Sequence, residues 1–213
     1  ELELFFDCLG KSSSPTKQAF SKARQQISFE AFKELFLLSN DILDFNKAPA
    51  LWNGYNLFAI DGTNLSLPST PETQNEFGIL HRASKNRVSP KISVIYDILN
   101  DLIVQAHIGT VKTDADERVH AEELILSPVL ERRGTEKCII IFDRGYPGRD
   151  LIYKLTEKKF PFLMRCSKSF LKKVNQAPIG DTFIIDEYKG ISTPLRVLKF
   201  PLDSGEIEML VTN

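Results

Sequence analysis

The chain has no apolar run approaching 18 residues, so no stretch of it reads as a membrane-spanning helix, and no membrane partner is expected. No charged, then apolar, then small-residue pattern opens it, so no secretory leader is read there. Cysteine is scarce. Cys8, Cys138 and Cys166 lie far apart, with no C-x-x-C pair and no Cys/His cluster, which argues against a cysteine-built metal site. Their odd number, with Cys138 and Cys166 inside apolar strand-like runs, points to reduced buried thiols and a cytoplasmic setting. A large net charge is also missing: 27 Lys and Arg face 28 Asp and Glu, for −1 overall. That near-balance conceals three blocks with cations and no acid. They are Lys11, Lys17, Lys22 and Arg24; Arg82, Lys85, Arg87 and Lys91; and Arg165, Lys168, Lys172 and Lys173. Each block attracts phosphate through its local field, whatever the total. The plainer reading of any single block is a solvated face.

At 213 residues, 42% hydrophobic and 26% charged, the chain is long enough for one sizeable globular domain and an appendage. Its most informative stretch is CIIIFDRGYPGR, residues 138–149. Ile139, Ile140, Ile141 and Phe142 form a short apolar run without alternation, which suits a strand buried on both faces. Asp143 follows at once, and Gly145, Pro147 and Gly148 turn the chain. In open α/β sheets, ligand chemistry gathers beyond such strand ends. Leu57, Phe58, Ala59 and Ile60, followed by Asp61, Gly62 and Thr63, repeat the construction.

Residues 1–46 read as helical. Ser14 and Pro15 look like an N-cap and first helical position, with Phe20, Ala23 and Ile27 at helical spacing behind them. Ser28 caps a second helix whose Phe29, Phe32 and Phe36 form a core-facing stripe. Pro49 marks a boundary near residue 50. Residues 68–90, polar and with three prolines, read as a long loop. Ile92–Leu99 and Leu102–Ile108, joined by Asn100 and Asp101, read as a hairpin that extends the first strand into an antiparallel sheet. A helix follows over 116–132, with Val119, Leu124 and Leu126 as its apolar residues, divided or kinked at Pro128 and capped by Gly134. After the strand at 138–142 come a helix over 149–159, with Leu151, Ile152 and Leu155 on one side, and a strand over 160–166. The core order is therefore β-β-β-α-β-α-β. Asp181–Tyr188, Pro194–Leu202 and Glu206–Thr212 alternate like strands with turns between them, and read as a separate β-rich module.

A β-β-β-α-β-α-β chain with a carboxylate on its first and fourth strands resembles the ribonuclease H-like fold, an α/β mixed sheet flanked by helices. The resemblance makes those two strands central neighbours. Paired carboxylates raise each other's pKa unless a cation lies between them. Oxygen ligands suit Mg2+ or Mn2+, and such a site serves displacement at phosphorus. The residues narrow the likeness. LFAIDGTNLSLP and IIIFDRGYPGRDLIYKL, with FLMRC after them, resemble the insertion-sequence transposases of the DDE type, within them the subgroup with a β-rich insertion before the last acid. Asp61, Gly62 and Thr63 match its D-G-T context. Asp143, Arg144, Gly145 and Tyr146 match its more specific D-R-G-Y context. TKQAFSKARQQIS resembles its helical N-terminal region.

The resemblance implies a helical region at 1–50, a catalytic core at 51–167 and a β-rich insertion at 168–213. It implies Asp61 and Asp143 as catalytic metal ligands, Mg2+ or Mn2+ as cofactor, and double-stranded DNA, as transposon ends and target, for partner. It further implies a homodimer on DNA in a bacterial, nucleoid-associated setting, with phosphodiester hydrolysis at transposon ends followed by strand transfer. Arg144, Tyr146, Arg165, Arg82, Lys85 and Arg87 are the expected DNA contacts. Arg144 could instead hold Asp143, and Tyr146 could pack under the turn. His120 reads as an exposed helical histidine, and Asp97, Asp101, Asp114 and Asp116 as turn or cap residues. One family element has no counterpart, the glutamate of a Y-x-x-R-x-x-x-E pattern after the insertion. Tyr146, Arg149 and Tyr153 keep its spacing without the acid. The expectation is a chain that stops before that glutamate and as it stands does not cut DNA. The alternatives are a nuclease of the same fold without strand transfer, and a non-catalytic DNA-binding remnant.

Overall fold

The computed structural model of the chain describes residues 2–11, 13–46, 48–82, 85–110 and 117–213. It forms two compact units, Glu1–Ala48 and Pro49–Asn213. The first holds helices α1 (Leu2–Cys8), α2 (Lys17–Arg24) and α3 (Phe29–Asn46). Thr16, not Ser14, caps α2: its hydroxyl accepts the Ala19 N–H at 3.2 Å. The cap lies one residue past Pro15, so Ile27 falls beyond the helix end. Phe29 and Phe32 of the expected core stripe are exposed, so spacing that builds a helical stripe has not buried it.

The second unit begins with β1 (Asn56–Asn64), α4 (Pro71–Phe77), β2 (Leu80–Arg82), β3 (Lys85–Arg87), β4 (Lys91–Asp97) and β5 (Leu102–Gly109). It continues through α5 (Glu117–Ile125), α6 (Pro128–Arg132), β6 (Cys138–Phe142), α7 (Arg149–Glu157) and β7 (Phe162–Arg165). It closes with α8 (Lys172–Gln176), β8 (Gly180–Tyr188), β9 (Ile191–Pro201) and β10 (Ile207–Thr212). Eight strands make one mixed sheet in the order β5-β4-β1-β6-β7-β10-β9-β8. The β5-β4-β1 part is antiparallel. The pairs β1–β6 and β6–β7 are parallel, which requires crossovers; α5 with α6, and then α7, supply them.

Cys138, Ile140 and Phe142 on β6 are buried, while Ile139 and Ile141 are half-buried, so both faces of the strand are covered. Pro128 opens α6 and so divides the expected helix. The buried face of α5 is His120, Ala121, Leu124 and Ile125. Val119 and Leu126 are exposed, because the face turned to the sheet begins one residue later than their spacing suggests. His120 is therefore buried, not exposed, and its Nδ1 is hydrogen-bonded to the buried Ser93 Oγ at 2.9 Å.

Residues 68–90 are not a plain loop. Thr70 and Thr73 cap one another and Pro71 fills the first turn of α4, a combination that starts even a short helix; β2 and β3 then pair as a hairpin. Residues 168–213 carry on the main sheet instead of standing apart, because β10 pairs antiparallel with β7. That pairing covers what is otherwise an open sheet edge. The cysteines at 138 and 166 are buried, and burial pushes their thiols up to about 11 and about 12.

Candidate functional site

The parallel register of β1 and β6 ends at Ile60 opposite Phe142. The next residue on each strand is an aspartate, so Asp61 and Asp143 leave the centre of the sheet at one level. Neighbouring strands put their backbones about 5 Å apart. β1 itself runs on to Asn64 beside β4, so Asp61 sits where β6 stops flanking it, not at the strand's own end. Both aspartates are exposed. The Asp61 carboxylate accepts the Gly62 N–H at 2.8 Å, and Asp143 accepts the Gly145 N–H at 2.8 Å. Among the described residues neither forms an ion pair.

A third acid stands beside them that the sequence did not single out. Glu117, the first residue of α5, pairs with Lys91 Nζ at 2.9 Å. A Cβ on Gly62 would lie 3.2 Å from Glu117 Cγ, and one on Gly145 would lie 3.6 Å from Glu117 Oε2. An acid in the first turn of a helix is common for dipole reasons alone, so nothing in the linear order marks Glu117.

Tyr146 lies under the turn with no exposure at all, against the Phe142 ring at 5.6 Å. Of its two readings, packing is the one observed; a buried ring offers no face to a base. Its hydroxyl has no hydrogen-bond partner among the described residues. Burial first, then the charges of Glu117, Asp61 and Asp143, hold that phenol well above its ordinary value.

Arg144 does not hold Asp143. It donates to Glu208 of β10 at 3.0 Å, and Arg165 donates to the same carboxylate at 2.6 Å. The Glu208 side chain is 5% exposed, against 43% and 48% for the two arginines. Arg87 is exposed. Arg82 and Lys85 face each other across the β2–β3 hairpin, and their side chains lie outside what the structure describes. Cations of the basic blocks are partly committed: Lys91 to Glu117, Arg165 to Glu208, and Lys173 to the Ile185 carbonyl at 2.7 Å. Lys168 and Lys172 are exposed, as are Lys11, Lys17, Lys22 and Arg24 in the first unit. Asp97 is more than a turn residue, being buried against Arg133 at 2.9 Å. Asp101 occupies the left-handed region, at φ 55°, as its turn requires; Asp114 and Asp116 lie outside the described residues.

The donors around Asp61 and Asp143 are all oxygens, the chemistry of a hard divalent cation. Among the described residues no three Cys, His, Asp or Glu side chains are gathered closely enough to hold an ion. The Asp61 and Asp143 pair is the set whose oxygen chemistry suits one. The Transposase DDE domain family matches residues 52–193, a span that contains both aspartate motifs and Glu117. The chain belongs to that family. Transposases of this family generally use divalent metal ions, in keeping with the oxygen donors at the rim. No curated protein matches the chain. Its fold is similar to a chain in a cryo-EM structure of piggyBac transposase synaptic complex with hairpin DNA, with a TM-score of 0.50 and 15% identity over 93% of this chain. The match spans 40% of that transposase's length. No helix among the described residues of this family member is long and apolar enough to cross a membrane.

Proposed function

We propose that this chain is the catalytic-core part of a DNA transposase that hydrolyses phosphodiester bonds at transposon ends and joins the freed 3′-hydroxyls to target DNA. Support comes from one observation above the rest: Asp61 and Asp143 occupy one level of adjacent parallel strands, inside the span matched by the family. In this reading both are ligands of Mg2+ or Mn2+. Bound there, the cation supplies Lewis-acid stabilisation of the charge that develops on oxygen during in-line displacement at phosphorus. The strands hold the two carboxylates rigidly, and the Gly62 and Gly145 N–H groups orient them. Exposed Arg87, Lys168 and Lys172, with Arg82 and Lys85, take the DNA backbone through a salt-dependent attraction. Arg144 and Arg165 keep β10 seated and leave their half-exposed guanidiniums beside the DNA path. Residues 1–50, 51–167 and 168–213 serve as helical region, core and insertion. Double-stranded DNA is the partner, engaged by two copies of the protein; the piggyBac neighbour, a synaptic complex with hairpin DNA, favours DNA as the partner.

The test is an end-cleavage assay with the full-length protein, Mg2+ or Mn2+, and a plasmid carrying the DNA ends that flank its gene. Nicks at those ends and joined products are expected, both lost in Asp61→Asn and in Asp143→Asn. Nicking that survives both substitutions overturns the reading, and nicking without joined products makes the protein a nuclease of the same fold.

A further inference from the structure

We propose that Glu117 is a third carboxylate of this cation site, which it enters by exchanging Lys91 for the divalent ion. The inference rests on the reading of Asp61 and Asp143 as metal ligands and adds a residue from outside both aspartate motifs.

Three observations converge on it. The first is space. The glycines that follow the two aspartates, Gly62 and Gly145, are the positions where a Cβ would approach Glu117, at 3.2 Å from its Cγ and 3.6 Å from its Oε2. Neither glycine needs the left-handed region. Gly62 and Gly145 therefore leave room for side chains, and the one they have in common is Glu117, with Ser93 Oγ also 3.3 Å from the Gly62 position and Asp143 Oδ1 3.2 Å from the Gly145 position. The second is anchorage. His120, one turn along α5 from Glu117, is hydrogen-bonded to Ser93, and Ser93 is the register partner of Gly62. α5 is thereby held level with the aspartate rim. The third is the Tyr146 hydroxyl. It is fully buried, lacks a hydrogen-bond partner among the described residues, and lies where Glu117, Asp61 and Asp143 are the charges it feels. A buried donor left alone is costly, and one set behind three carboxylates suits a ligand shell that turns an oxygen toward it.

The three acids now rest on separate donors: the Gly62 N–H, the Gly145 N–H and Lys91. Like charges brought together repel unless a cation lies between them. Lys91 is thus the internal cation that Glu117 leaves. Glutamate has one more rotatable bond than aspartate, and the Glu117 side chain is 34% exposed, so it can swing without moving α5.

The experiment is Mn2+ titration of the 213-residue chain by calorimetry, with circular dichroism as the folding control. Wild type binds, Asp61→Asn loses binding, Glu117→Gln weakens it by about tenfold or more, and Lys91→Ala binds as well as wild type or tighter. Wild-type affinity in Glu117→Gln, with binding lost in Asp61→Asn, overturns the role of Glu117 and leaves the aspartate pair standing. No Mn2+ binding by wild type, or binding indifferent to Asp61→Asn, overturns the reading of the pair itself. Where Glu117→Gln fails to fold, Lys91→Ala decides: undiminished affinity supports the exchange, and weakened affinity shows that the ion pair with Lys91 is structural.

Discussion

Asp97, Asp186 and Glu208 are buried, and each meets arginine: Arg133 at 2.9 Å, Arg149 at 2.9 Å, and Arg144 with Arg165 at 3.0 and 2.6 Å. Asp61 and Asp143 are exposed at the rim of the same sheet and among the described residues meet only N–H groups of their own turns. The first set joins elements. Asp97 ties β4 to the end of α6, Asp186 ties β8 to the start of α7, and Glu208 ties β10 to the turn after β6 and to β7. The second set joins nothing. A charge inside a fold needs a partner or it destabilises, whereas two like charges fixed side by side at a rim are, in the function proposed above, there for a ligand. The carboxylates thus divide into those that hold the sheet together and those that the sheet holds out.

That division is open to direct attack. Asp61→Asn or Asp143→Asn in the full-length protein should lower end cleavage by more than about 100-fold, beyond what a second-layer change causes. The same substitutions should leave stability within about 0.5 kcal/mol of wild type by denaturant unfolding, because both sites are exposed. Glu208→Gln should do the reverse in the 213-residue chain. It leaves two arginines facing an amide and should lower stability by about 2 kcal/mol, less than for a fully buried pair because both arginines are half exposed. An aspartate variant as unstable as Glu208→Gln would erase the distinction.

The acid limb of the stability curve sharpens it further. The hydrogen bond from Arg165, opposed by burial and helped by Arg144, holds the Glu208 carboxyl below its ordinary value of 4.5. A carboxyl lowered in the folded state contributes stability above its unfolded value and loses it as pH falls through the folded one. Stability should therefore drop below about pH 4.5 in wild type, and less steeply in Glu208→Gln, as followed by thermal melts across that range. The smallest effect expected is that of Gly62→Ala. Its Cβ would meet Glu117 Cγ at 3.2 Å and Ser93 Oγ at 3.3 Å, so each of these neighbours gives way by a few tenths of an ångström. The cost should stay under about 1 kcal/mol by denaturant unfolding, in the low part of the range for overpacking.

Much of the frame was legible because strand chemistry is local. The unbroken Ile139–Phe142 run gave β6 its two buried faces, and the order β-β-β-α-β-α-β could be read from alternating runs and their turn residues. The neighbourhood of β1 and β6 came from the resemblance of that order to the ribonuclease H-like fold. What escaped depends on contacts across the sheet. Nothing in 168–213 says that β10 will pair with β7, since any strand edge could have served. Arg144 read as a DNA contact or a holder of Asp143, and Arg165 as a DNA contact, because Glu208, their shared partner, is 43 residues or more away. His120 looked solvated because polar residues usually are, and its contacts with Ser93 on β4 and the His107 ring on β5 exist only in the folded chain. Glu117 carried no signal beyond an acid at a helix start, and its nearness to Gly62 and Gly145 exists only once α5 lies over β1. α4 was missed differently: Thr70, Pro71 and Thr73 are a local start signal that the surrounding prolines obscured.

The central claim, that Asp61 and Asp143 jointly hold a divalent cation, is most directly tested by iron-dependent cleavage of the chain. Iron(II) with ascorbate and peroxide cuts a polypeptide beside the place where the iron is held. The 213-residue chain should be cut near residues 61 and 143 together, with both cuts suppressed by excess Mg2+ and absent from Asp61→Asn. Cuts confined to other parts of the chain, or cuts at these two positions that persist in Asp61→Asn, would contradict it.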